Sequence, residues 1–222
     1  MYVPQHFEEN DPAVLHALLR AYPFGTWITA VDGELVANHL PFLLDAERGD
    51  RGVLRGHVAR ANPAWRALKA GLPSMVIFQG ADSYITPSWY ASKAEHGKVV
   101  PTWNYAVVHA HGEARAIEDR DWLLALLSNL TTRHEADRRA PWHLSDAPQS
   151  YVDSLLNAIV GIELPVTKLV GKWKTSQNRT SADRRGVIAG LQDRGDAVAH
   201  DMAALVRQHT PDGDSAARPE DS

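Results

Sequence analysis

The chain has 222 residues, 44% hydrophobic and 23% charged, with a formal net charge of −4. That length holds one sizeable domain with appendages or two small ones, and the acidic balance offers no overall field for nucleic acid or an anionic membrane. Cysteine is absent, which excludes disulfides, thiolate zinc centres and a Cys nucleophile.

Met1 to Glu9 reads as an extended start tied by Pro4, with no basic and then apolar leader. No uncharged apolar run reaches the ~20 residues of a bilayer span, so a cytoplasmic protein is expected. Asn10-Asp11-Pro12 starts a helix with a capping side chain and Pro in the first turn, and Pro23 ends it. Phe24 to Val31 reads as a strand, Asp32-Gly33 as a tight turn, and Leu35 to Leu44 as the return strand. Gly52 to Val58 is a third strand. Asn62-Pro63 caps a helix over 64–70 that Gly71 closes.

Ser74 to Phe78 reads as a short apolar strand, followed by a loop over about 80–100. The strand after that loop alternates. Trp103, Tyr105, Val107, His109 and His111 face one way, and Asn104, Ala106, Val108 and Ala110 the other. Asp119 starts a helix whose inner face is Trp122, Leu123, Leu126, Leu127 and Leu130. Residues 135–148 are a charged connection, and Ser150 to Ala158 is helical. Ile159 to Lys174 reads as strands broken at Pro165 and Gly171. Thr180-Ser-Ala-Asp183 resembles a capping box before two helices separated at Gly195. Residues 210–222 read as a disordered tail. Six or so strands in hairpin order, with short helices between, predict an antiparallel barrel rather than a βαβ sheet.

Four stretches carry candidate chemistry. The first is Asn38-His39-Leu40-Pro41-Phe42, where a lone His is more often structural than ligating. The second is Arg55 to Pro63, in which Arg60 and a helix mouth at Asn62 could hold a phosphate or form a plain cap. The third is Tyr84 to His111, where aromatic rings beside Thr, Asn, Ser and Lys suit a flat heteroaromatic ligand. The fourth is Lys172 to Arg179, with three cations, two hydroxyls and two amides in eight residues. No Gly-x-Gly-x-x-Gly, P-loop or Gly-x-Ser-x-Gly motif is present. His109 and His111 share a strand face, but no carboxylate pattern makes them a metal site.

Met1-Tyr-Val-Pro-Gln-His-Phe7, Asn38 to Phe42, Gly56 to Pro63, Tyr84-Ile-Thr-Pro-Ser-Trp-Tyr90, Val100 to Tyr105 and Ser176-Gln-Asn-Arg179 occur in one order. In that order they resemble the PaiB family of FMN-binding negative transcriptional regulators, also called protease synthase and sporulation negative regulatory proteins. The resemblance covers roughly residues 1–208. It departs at Thr175, where members often carry Leu, and at Gly80-Ala81, where Gly-Pro is usual.

The resemblance implies a mainly β fold with flanking helices: an FMN-binding split barrel of the pyridoxamine-phosphate-oxidase type over 1–179, with a helical extension over 180–209. It also implies a homodimer with FMN at the subunit interface. Arg60 and Asn62 become first candidates for the FMN phosphate, and Thr102, Trp103 and Asn104 for the isoalloxazine and ribityl edge. Lys174, Ser176, Gln177 and Arg179 are candidates from the same or the partner chain. The family's name points to a regulator acting through flavin. The absence of a basic stripe argues against direct DNA binding. The alternative is an FMN-dependent oxidoreductase acting on a small aromatic or heterocyclic substrate, with His39, His57 and Tyr90 as proton donors.

Overall fold

The computed structural model describes residues 1–68 and 71–208; the expected tail at 210–222 lies outside them. Among the described residues nine strands form one sheet. They are β1 (Glu8–Glu9), β2 (Phe24–Val31), β3 (Glu34–Pro41), β4 (Leu43–Asp45), β5 (Val53–Ala59), β6 (Pro73–Ile85), β7 (Thr102–Glu113), β8 (Arg115–Ile117) and β9 (Ile159–Lys174). Their order is β3-β2-β6-β7-β9-β5-β4, with β1 and β8 also paired to β9. The helices are α1 (Pro12–Ala21), α2 (Ala64–Ala67), α3 (Ser92–His96), α4 (Arg120–Glu135), α5 (Gln149–Asn157), α6 (Ser181–Arg194) and α7 (Ala197–Gln208). The chain divides into two compact units. The larger holds Asn10–Phe78 and Val108–Val170; the smaller holds Met1–Glu9, Gln79–Val107 and the chain from Gly171 on.

In the larger unit, β2 and β3 form the expected hairpin, in register from Phe24 opposite Pro41 to Val31 opposite Glu34. Asp32 and Gly33 both take positive φ, 51° and 85°. Two positive φ values give the tight turn whose twist matches the strands, and Asp-Gly is the pair that tolerates them. The return strand is shorter than expected: it stops at Pro41, and β4 resumes at Leu43. Antiparallel β5–β9 pairing sets His57 opposite Gly161 and Val53 opposite Pro165.

Pro165 does not break β9, contrary to the expectation. It lacks an N–H, but Val166 N donates to Gly52 O at 3.0 Å and the pairing resumes at once. The sheet curls until β3 meets β5. A Cβ on Gly56 would lie 2.9 Å from Leu40 Cδ1 and 3.1 Å from Pro41 O, so any larger residue would press on β3 at that closure. Trp27, Phe42, Phe78, Leu54, Ile162 and Leu164 fill the interior, with Phe42 and Phe78 edge to face at 5.9 Å. Each such side chain contributes about 1.5–3 kcal/mol by leaving water. Leu123 of α4 packs with Val152 and Leu156 of α5 outside the sheet.

In the smaller unit, β1 pairs with the end of β9, Glu8 opposite Lys172. Where a loop was expected over 80–100, β6 continues to Ile85, a 3-10 turn spans Pro87–Trp89, and α3 follows. The buried positions of β6 are Ser74, Val76, Phe78 and Gly80, then Ala81, Ser83 and Ile85. The phase slips by one residue at 80–81, as a bulge makes it do, and this hides the period from a reader of the sequence. Ile85 and Tyr90 share a core with Val187, Leu191, Met202 and Val206 of α6 and α7. Thr180 caps α6 by accepting from Asp183 N at 3.2 Å, and Gly195, at φ 71°, ends it.

Candidate functional site

The smaller unit gathers most of the expected site residues. Period-two geometry puts Lys172 and Lys174 on one face of β9. Lys174 Nζ donates to Thr102 Oγ1 and to Trp103 O. Lys172 Nζ donates to Tyr2 O at 3.1 Å and lies 5.3 Å from the centre of the Tyr105 ring. The Arg179 guanidinium stacks on Tyr90, 4.7 Å from its centre. Burial pushes the Lys174 ammonium below its ordinary range, and the Lys172 and Arg179 charges push it further. Cations crowded this way, each raising the cost of the next, favour an anion among them.

The turn after β9 is held tightly. Ser176 adopts φ 67° and is 3% exposed. Its Oγ accepts from Asn104 Nδ2 at 2.9 Å in the interior. Gln177 clamps the turn: its Oε1 accepts from Thr175 N at 2.8 Å and its Nε2 donates to Trp173 O at 2.6 Å. Asn104 Oδ1 is buried with no partner. Beside it along β7, Trp103 is 55% exposed and meets Tyr84, 47% exposed, edge to face at 6.2 Å.

Arg60 and Asn62 lie in the larger unit and are engaged there. Arg60 donates to Asn157 O at 2.8 Å, Ile159 O at 3.1 Å and Glu118 Oε2 at 2.5 Å. Asn62 caps Ala64 N at 2.9 Å and donates to Asn38 Oδ1 at 2.6 Å. The helix they precede, α2, spans Ala64–Ala67, and residues 69–70 of the expected 64–70 lie outside the described residues. Asn38, His39, His57 and Asn62 line an open cleft of about 420 Å³. Asn38 Nδ2 and His57 Nδ1 are buried there without partners, and burial pushes the His57 imidazole below its ordinary range. His109 and His111 stand 6.2 Å apart on β7. Among the described residues no group of three His, Asp or Glu is placed to hold a metal, and no helix is long and apolar enough to cross a membrane.

The family model described as "Putative FMN-binding domain" matches residues 1–168. The chain is 33% identical over 206 residues to protease synthase and sporulation protein PAI 2 of Bacillus subtilis, covering 93% of this chain and 96% of that one. It belongs to the PaiB-type family of FMN-binding domains. An uncharacterized protein of Emericella nidulans is 35% identical over 243 residues, covering 94% and 97% of the two chains.

Among solved structures, an FAD- and heme-binding protein of Mycobacterium smegmatis matches at TM-score 0.56 and 21% identity, over 75% of this chain and 73% of that one. A flavocytochrome of Azotobacter vinelandii matches at TM-score 0.54 and 18% identity, over 78% and 72%. These likenesses share the fold, and the expected split barrel with flanking helices is what the PaiB-type chain adopts.

FMN is the cofactor of this PaiB-type domain, and the residues present fit it. A phosphate monoester needs cations, and the charges of Lys172 and Arg179 act on Lys174; a flavin edge needs polar partners and Asn104 Oδ1 is unused; a flat ring needs an aromatic face and Trp103 is open. Lys172 was counted among the three cations of 172–179 but not among the flavin contacts, although its alternation with Lys174 across Trp173 was the available signal. Sequence reading had no means of finding Glu118, which occupies Arg60 from 58 residues away.

Proposed function

We propose that this PaiB-type protein binds FMN with the phosphate at Lys174 and Arg179 and the isoalloxazine against Trp103 and Thr102. In this reading Asn104, Ser176 and Gln177 shape the turn that presents the cations. The observation that carries it is the crowding of Lys172, Lys174 and Arg179 with no carboxylate among the charges acting on Lys174. Arg60, by contrast, is neutralised by Glu118 and bound to backbone carbonyls. When bound, FMN supplies reversible electron and hydride chemistry.

The relative's name in Bacillus subtilis speaks of protease synthesis and sporulation, and we infer a regulatory role exercised through flavin rather than through a DNA-binding module. Helices α6 and α7 support this. Arg184 is buried and donates to Gln177 O and Arg179 O, and Arg194 is paired with Asp196 and Ser83. Neither is free for a phosphate backbone. The open Tyr84–Trp103 pair is the surface we assign to a homodimer; a monomer in sedimentation at micromolar concentration would remove that assignment.

Titration with FMN and with riboflavin, which lacks the phosphate, tests the site. Lys174→Ala and Arg179→Ala are expected to weaken FMN about 10- to 100-fold, the size of a charge-assisted hydrogen bond, while hardly moving riboflavin. Equal losses for the two flavins would sink the phosphate assignment. A selective loss in Arg60→Ala instead would move the phosphate to the larger unit.

A further inference from the structure

A second open cleft, of about 330 Å³, lies in the larger unit between α4 and the end of β3. Its size is at the lower end of the range for small-molecule sites. Pro41, Leu127, Leu130 and Trp142 supply apolar walls. Among its lining residues Glu135 is the one carboxylate, His57 and His134 are imidazoles, Thr131 adds a hydroxyl, and there is no Lys or Arg. Glu135 is fixed in place because its Oε2 accepts from Trp142 N at 3.2 Å, and both residues line the cleft. His57 forms part of the wall, with Nδ1 buried and unpartnered.

We propose that this cleft binds a small organic cation, a primary ammonium on a short arm carrying a flat apolar ring. The ammonium is held by the Glu135 carboxylate and the ring by Leu127, Leu130 and the Trp142 face. The chemistry selects this class on three grounds. A wall with one carboxylate and neither Lys nor Arg disfavours anions. An indole and a carboxylate lining one cleft favour a positive ligand by both Coulomb and cation–π attraction. Burial disfavours a proton on the His57 imidazole, so that wall residue does little to repel a cation. The inference does not rest on the flavin assignment, since every group it uses belongs to the larger unit.

Calorimetric titration of the full-length, FMN-saturated protein with phenethylamine, 2-phenylethanol and phenylacetate tests it. These share one ring and arm and differ in the charge of the head group. The expected result is saturable binding of the amine, binding of the alcohol about tenfold or more weaker, and none of the acid. Glu135→Gln keeps an oxygen for Trp142 N and removes the charge. It should bring the amine to the alcohol's level without changing flavin uptake. Trp142→Leu should weaken all ring-bearing probes together. No saturation by the amine, equal affinity for the three probes, or an unchanged amine affinity in Glu135→Gln would each overturn the proposal.

Discussion

Ser176 illustrates how one residue carries two opposed demands. Its φ of 67° is a conformation that glycine adopts freely and serine at a cost of about 1 kcal/mol. Its hydroxyl accepts the buried Asn104 Nδ2. Ser176→Ala keeps the strain and abandons the donor, so urea unfolding should show a loss of about 1–3 kcal/mol. Ser176→Gly loses the same acceptor but relieves the backbone and should lose less; a glycine variant weaker than the alanine one would contradict this account.

The residue types of the candidate site were legible because Lys, Ser, Gln and Arg within a few positions advertise an anion. Their division of labour was not. Gln177 turned out to spend its polar atoms inside the turn and Ser176 its hydroxyl on Asn104 of β7, and Arg60 spent its donors on Glu118 and two carbonyls. Which atoms remain free depends on partners far away in sequence.

Among elements, α6 shows what a sequence hides in plain view. Gly186 and Gly190 stand one turn apart, where helix propensity favours alanine by about 1 kcal/mol. A Cβ at Gly186 would lie 1.9 Å from Trp89 O, and one at Gly190 about 2.2 Å from the Trp89 ring. The Ser88-Trp89-Tyr90 turn therefore docks on a smooth face of the helix, and Asp183 fastens the far side through Ser92 N and Oγ at 3.0 and 2.8 Å. Gly186→Ala, normally stabilising in a helix, should here cost about 1–3 kcal/mol through overpacking, read from thermal or urea unfolding. A neutral or stabilising result would mean that the turn is free to retreat.

Elements with local signals were found where expected: Asp11 before α1, Asp32-Gly33 between β2 and β3, Asp119 before α4, Thr180 before α6. Elements defined by pairing were not. The second half of β6 is polar and slips phase, and the continuity of β9 through Pro165 rests on Val166 reaching Gly52, a contact 114 positions removed in sequence (166 minus 52).

For the molecule as a whole, burial holds three histidines of the larger unit, His57, His109 and His111, below their ordinary range. Each is depressed in the fold relative to about 6.5 in the unfolded chain. The unfolded state therefore takes up protons first as pH falls below that value, and stability drops. The slope is up to about 1.4 kcal/mol per pH unit for each proton taken up only on unfolding. Urea unfolding should give lower stability at pH 5.5 than at pH 7.5, and His57→Gln should flatten the dependence. An unchanged slope in that variant would assign the loss to other groups. Carboxylates held low, such as Asp153 and Asp196, act only below about pH 4 and stay out of this window.

The barrel class and the β2–β3 hairpin were legible from turn chemistry and alternation; the strand order, with β6 beside β2 and β5 beside β9, was not. The grouping of the chain was not, because it follows contacts rather than sequence. A boundary at Arg179 looked natural, yet α6 and α7 share a core with Ile85 and Tyr90. The smaller unit is assembled from three stretches of chain and the larger from two. No single cut in the gene releases either one whole. An exchange of one contiguous segment would therefore split both units rather than transplant either.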